Sequence, residues 1–101
     1  MATFILLSTL TDDGAQTIQH DPERILKVND ELARMGVTVI SQWAVLGSYD
    51  FVSVVEAKDV LTIARVSAIL ASRGSSRFMT LPAIPIAEFI AGMKEHPVAD
   101  D

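Results

Sequence analysis

Cysteine is absent from the 101 residues, which removes disulfides, thiolate nucleophiles and every cysteine-based zinc pattern, and suits a reducing cytoplasm. Basic charge is scarce too: 8 Lys and Arg stand against 13 Asp and Glu, a net charge of −5. Nothing supplies the basic field that nucleic acid or an anionic membrane requires, so neither is an expected partner. The 2 histidines, His20 and His96, have no helical metal spacing, and neither a metal site nor a cofactor is expected. Apolar residues make up 50% of the chain, yet no run of them is long enough to cross a bilayer. The richest stretch, Leu81 to Met93, contains two prolines and Glu88. The opening residues lack a basic segment and a small-residue cleavage site, so they read as a strand and not as a signal peptide. One cytoplasmic domain over 1–101 is the expectation, with 96–101 a frayed tail.

Residues 3–10 are β-rich and meet Asp12-Asp13-Gly14, which reads as a breaker opening a loop through Gln16 to His20. A helix is then expected with Asp21 as N-cap and Pro22 in its first turn. Ile25, Val28, Leu32 and Met35 form its apolar stripe, and Gly36 stops it. Residues 37–46 and 51–57 read as strands joined by a connection short enough to force antiparallel pairing. Asp59 can cap a second helix over 60–73, buried through Val60, Ile63, Ala64, Ser67, Leu70 and Ala71. A fourth strand is expected over 75–81, and Pro82 and Pro85 precede a short helix over 86–95.

The order β-α-β-β-α-β plus a terminal helix implies an α+β, ferredoxin-like fold, with both helices on one face of a four-stranded antiparallel sheet. A sheet wet on its other face should alternate apolar with polar. These strands do not. Phe4 and Leu6 oppose Ile5 and Leu7; Val39, Trp43 and Val45 oppose Ile40, Ala44 and Leu46; Phe51 and Val55 oppose Val52 and Val54. Both faces need cover, and a second copy of the chain is the economical one, giving a homodimer, or a higher oligomer, with a mostly apolar cavity beside the sheet.

The segment Leu46-Gly47-Ser48-Tyr49-Asp50-Phe51-Val52 resembles the Gly-x-Tyr-Asp signature of the GYD-domain family, one of the dimeric α/β-barrel groups. The likeness extends to the opening strand and its Thr11-Asp12-Asp13-Gly14, to Val55-Glu56-Ala57, and to Arg77–Leu81. The resemblance implies a ferredoxin-like fold and pairing into a dimer, and brings no settled reaction with it.

Five residues are candidates for chemistry. His20, just ahead of the expected helix, and Asp50, in the hairpin connection, are the candidate catalytic bases. Their surroundings favour a turn aspartate bonded to nearby N–H groups at Asp50 and a loop histidine bonded to backbone at His20. Trp43, Tyr49 and Arg77 are the candidate ligand-binding residues. The area an indole buries favours a core or interface place for Trp43, and Arg77 equally suits an ion pair with Glu56 or an edge position. Gln42 and Trp43 point opposite ways, and whichever of them faces the second copy's sheet is expected to line the cavity. Three functions compete: a homodimer binding a small apolar or aromatic ligand; a cofactor-free monooxygenase or isomerase using His20 or Asp50; and a structural oligomerisation module.

Overall fold

A computed structural model describes residues 1–95. The chain runs β1 (Ala2–Leu10), α1 (Asp12–His20), α2 (Arg24–Arg34), β2 (Val37–Ala44), β3 (Phe51–Ala57), α3 (Val60–Ala71), β4 (Ser76–Ala83) and α4 (Ile86–Glu95). The sheet order is β2-β3-β1-β4 and every neighbour is antiparallel. This is the expected α+β, ferredoxin-like arrangement, with one helix more than the strand and helix signals indicate.

That helix is α1, where the sequence suggests a loop. Thr11 is its N-cap, accepting the Gly14 N–H on its hydroxyl at 3.2 Å, and Asp12 and Asp13 set negative charge against the positive end of the helix dipole. Gly14 works here as a contact residue and not as a breaker, because a Cβ on it would stand 2.0 Å from the Ser75 carbonyl oxygen. Asp21 is consequently not the N-cap of α2. It closes α1 by donating its N–H to the Thr17 carbonyl at 2.8 Å, and its carboxylate pairs with Lys27 at 3.2 Å. The chain enters α2 through Glu23 without a side-chain cap. Gly36 ends this helical segment at φ +92°, a left-handed conformation that glycine adopts without strain.

Asp59 caps α3 as the sequence suggests, accepting the Thr62 N–H at 2.9 Å. The buried stripe of α3 is Ile63, Val66 and Leu70; Val60, Ala64 and Ala71 lie on the exposed side, so the helix is rotated from the expected stripe. The core gathers these three with Phe4, Leu6, Leu32, Val37, Val55 and Ala57. β4 continues past Leu81 to Ala83, carrying Pro82 on an edge strand, where a missing N–H is tolerated.

β2 departs from simple alternation. Val39 pairs with Val55 but Ser41 pairs with Val54, leaving Ile40 as a bulge. From that point the strand is turned over: Gln42 shares the helix-covered face with Val39, and Trp43 lies on the other. The expected grouping of Val39 with Trp43 is therefore corrected.

Among the described residues no helix covers the sheet's second face. Across it run two rows in register, Trp43–Val52–Leu7–Met79 and Ser41–Val54–Ile5–Leu81. Trp43 is 63% exposed and Met79 49%. α4 buries no residue at all, and its Ile86, Phe89, Ile90 and Met93 are all exposed. The Cα radius of gyration is 16.3 Å, against about 13 Å for a compact domain of this length.

Candidate functional site

Between the covered face of the sheet and α1, α2 and α3 lies a cavity of about 310 Å³. Its walls are mostly apolar, with Leu6, Phe51 and Phe78 from the sheet and Ile18, Ile25 and Val28 from the helices. Neutral polar residues interrupt that lining, among them Ser8 on β1, Ser53 on β3, Gln42 on β2 and Asn29 on α2. Three of these four are linked. Asn29 Nδ2 donates to Gln42 Oε1 at 2.8 Å, and Gln42 Nε2 donates to Ser53 Oγ at 3.1 Å. Ser8 and Ser53 are the buried polar residues of the described chain. Ser8 sits diagonally across from Ser53, since Ser53 pairs with Leu6 and Phe51 with Ser8.

Arg24 and Arg73 also border the cavity. Arg73 is ion-paired, its two terminal nitrogens donating to the two Glu31 oxygens at 2.5 and 2.6 Å. That bidentate hydrogen bond holds the Glu31 carboxyl below its ordinary value and raises Arg73 above its own. The pair ties the end of α3 to α2 beside the cavity.

None of the five sequence-predicted residues lines this cavity. His20 ends α1, its Nδ1 2.8 Å from the Gln16 carbonyl one turn earlier, beside a shallow surface recess shared with Asp13 and Asp21. Asp50 stitches the hairpin to β1: Oδ2 accepts the Leu10 N–H at 2.8 Å, and its own N–H donates to the Ser8 carbonyl at 2.8 Å. Trp43, Tyr49 and Arg77 belong to the uncovered face. The Tyr49 hydroxyl donates to Met79 Sδ at 3.6 Å, at the end of the row that Trp43 begins. Arg77 pairs with Thr9 and Glu56 with Thr3 along β1, which separates them by about 20 Å at 3.4 Å per residue. An ion pair between the two within one chain is excluded. His96 lies outside the described residues.

The cavity residues are only partly visible in the sequence. Ser53 and Gln42 stand out as polar interruptions of an apolar hairpin, but the bulge decides which way Gln42 turns. Asn29 and Ser8 carry no such signal, one being an ordinary polar position of a helix and the other lying near a strand end. Among the described residues no three His, Cys, Asp or Glu side chains come together as a metal site, and no helix is long and apolar enough to cross a membrane.

The chain is 62% identical over 95 residues, 93% of its own length and 100% of the relative's, to a Thermus thermophilus protein named glutamine synthetase and cystathionine beta-lyase binding protein. It superposes on the crystal structure of TTHA0845, also from Thermus thermophilus, with a TM-score of 0.53 and 26% identity, covering 84% of this chain and 95% of that one. The family model for the GYD domain matches residues 4–92, a span that takes in the hairpin signature, nearly the whole sheet and most of α4. The chain belongs to the GYD-domain family.

Proposed function

We propose that this protein is a homodimeric binding protein that docks onto enzymes. The observation that carries the reading is its surface. The chain exposes 7208 Å², whereas a compact monomer of its 10.9 kDa exposes about 5600 Å². The difference, about 1600 Å² on one chain, is twice the roughly 800 Å² that each partner gives to a standard interface and falls in the range of an obligate dimer, which buries about 2000–5000 Å² over both chains. The exposed groups include the apolar rows of the uncovered sheet face and the whole apolar side of α4.

A second copy fits that surface better than water does. The face bears two rows of apolar side chains with Arg77 toward one end and Glu56 toward the other. Packing two such faces about a two-fold axis perpendicular to the strands brings each Arg77 toward the partner subunit's Glu56, so the pair that one chain cannot make is made twice across the dimer. α4, unsupported by its own domain, then has the partner to lie against.

Enzyme docking follows from the Thermus relative, whose name gives glutamine synthetase and cystathionine beta-lyase as the proteins it binds. Sedimentation of the purified chain alone, and then with each of these enzymes from the same organism, tests both parts. Co-sedimentation with either enzyme supports docking. A lone monomer at micromolar loading removes the dimer, and free migration from both enzymes at tens of micromolar removes the docking.

A second reading has its own support in the cavity of about 310 Å³: a small apolar or aromatic molecule binds between the sheet and the helices. A ligand at a hundred times its dissociation constant stabilises the fold by about 2.7 kcal/mol, which a thermal-shift screen detects.

A further inference from the structure

We infer that the cavity between the sheet and α1–α3 takes an uncharged ligand, an apolar body bearing one hydroxyl or carboxamide group, and that Gln42, Ser53, Ser8 and Asn29 read that group. The inference rests on the small-molecule reading of the same cavity and narrows it to a chemical class.

The bulge at Ile40 is the first ground. Without the extra residue, strict alternation from Val37 and Val39 would place Ser41 and Trp43 on the covered face. With it, Gln42 faces the helices and the indole is sent to the far side of the sheet. Bulges recur beside binding sites because they re-aim a side chain, and this one replaces a large apolar group by an amide.

The second ground is what the polar chain leaves unused. A primary amide offers two N–H donors and two carbonyl lone pairs, and a hydroxyl one donor and two lone pairs. Gln42 commits one donor to Ser53 and one lone pair to Asn29. The Ser53 hydroxyl proton, the Asn29 carbonyl oxygen and the Ser8 hydroxyl remain, so the strip presents both donors and acceptors. Turning both amides over leaves the same number of free donors and acceptors. A hydroxyl or a carboxamide, each donor and acceptor at once, matches such a strip.

The third ground is charge. All four groups are neutral, and Ser8 and Ser53 are buried against apolar neighbours. A carboxylate or ammonium seated against Ser8 and Ser53 would lose its water there, which is strongly unfavourable; Gln42, exposed, and Asn29, half-buried, lie toward solvent. Arg73 has both terminal nitrogens on Glu31. Arg24 borders the cavity with its side chain exposed to solvent. A purely apolar ligand fails for the converse reason, because it strips water from these polar groups and returns no hydrogen bond.

The experiment is an amide-resolved NMR titration of the full chain with four probes built on one benzene ring: benzamide, benzyl alcohol, benzoate and toluene. Benzamide and benzyl alcohol are expected to shift the Ser8, Gln42 and Ser53 amides and to bind at least about tenfold more tightly than the other two. Gln42→Leu is expected to abolish that preference, and Ser53→Ala to reduce it, with the circular dichroism of both variants unchanged. Tighter binding of benzoate, erased by Arg24→Gln, would overturn the uncharged class while leaving the cavity a ligand site. Equal binding of toluene and benzamide, indifferent to Gln42→Leu, would assign the polar chain to architecture alone and overturn the inference in the same way. If no probe moves a cavity amide at about 5 mM, where a site of about 1 mM dissociation constant is mostly filled, the ligand site and its chemical class fall together.

Discussion

The Asp50 carboxylate accepts the backbone N–H of Leu10 at 2.8 Å, joining the hairpin connection to the last residue of β1. Asp50 also donates its N–H to the Ser8 carbonyl at 2.8 Å and accepts the Val45 N–H at 2.9 Å. One residue thus closes three chain segments at the end of the sheet nearest the cavity's Ser8. A charge-assisted hydrogen bond of this kind contributes about 1.5–3 kcal/mol. Asp50→Ala is expected to lower unfolding stability by about that amount in urea titrations, and Asp50→Asn, which keeps an oxygen acceptor, by less. Equal stability of all three proteins would show that the Leu10 bond is not maintained in solution.

Gly14 packs α1 directly against the α3–β4 junction. The Ser75 carbonyl oxygen that a Cβ would meet at 2.0 Å already accepts the Thr11 N–H at 3.1 Å, and the Thr11 hydroxyl donates to the Gly74 carbonyl at 2.7 Å. Backbone on both sides leaves little to yield. Gly14→Ala would gain helix propensity worth about 1 kcal/mol on an open surface, yet here it is expected to destabilise by about 1–3 kcal/mol or more through overpacking. Thermal unfolding decides the sign.

These two residues also mark what is legible in the sequence and what is not. The limits of β3 and α4 follow from local signals: a β-branched run ahead of Lys58-Asp59, and Pro85 ahead of a period of three and four. Helix α1 is hidden because Asp12-Asp13-Gly14 has the composition of a turn. The reason for glycine there is a tertiary contact with Ser75, which no local window contains. The face of α3 that is buried is equally hidden, since Val60, Leu61, Ile63, Ala64 and Val66 leave no polar side to orient it. The bulge at Ile40 has no sequence mark at all, and with it goes the direction of Gln42 and Trp43 and hence the location of the cavity's polar chain. The apolar character of both sheet faces is plain from alternation alone, because it needs no knowledge of which face is which.

Acid should loosen the helical layer. The Arg73 guanidinium holds Glu31 below its ordinary 4.5, and the Thr62 hydroxyl and N–H hold Asp59 below 3.8. Both carboxyls are weaker proton acceptors in the folded chain than in the unfolded one, so on acidification the unfolded chain is protonated first. Their stabilisation is complete above the ordinary values and is lost as the pH falls through the lowered ones. The urea midpoint of the wild-type protein is expected to fall as the pH drops below 4.5. Glu31→Gln and Asp59→Asn should each start lower at neutral pH and show a shallower decline. An unchanged slope in both variants would place the acid sensitivity in other carboxylates.

The uncovered sheet face and α4 make separable predictions for self-association. Val54 stands mid-row on that face between Ser41 and Ile5, while Phe89 is 52% exposed on a helix that buries nothing in its own chain. A carboxylate at Phe89 therefore costs the monomer almost nothing. If α4 lies against a partner, the same carboxylate loses its water in the dimer without gaining a counter-charge, at a cost of several kcal/mol, about 4 by the usual measure of an unpaired buried charge. At about 1.4 kcal/mol per decade that is on the order of a thousandfold weaker dimerisation. The symmetry of the dimer repeats each substitution, so the loss is expected to be larger still. Phe89→Asp and Val54→Asp should thus sediment as folded monomers at loadings where the wild-type chain is paired. Weakening by Val54→Asp with none by Phe89→Asp would confine the interface to the sheets and release α4 for a different partner. Association unaltered by both would mean that neither the bare face nor the projecting helix is where the chain meets its copy.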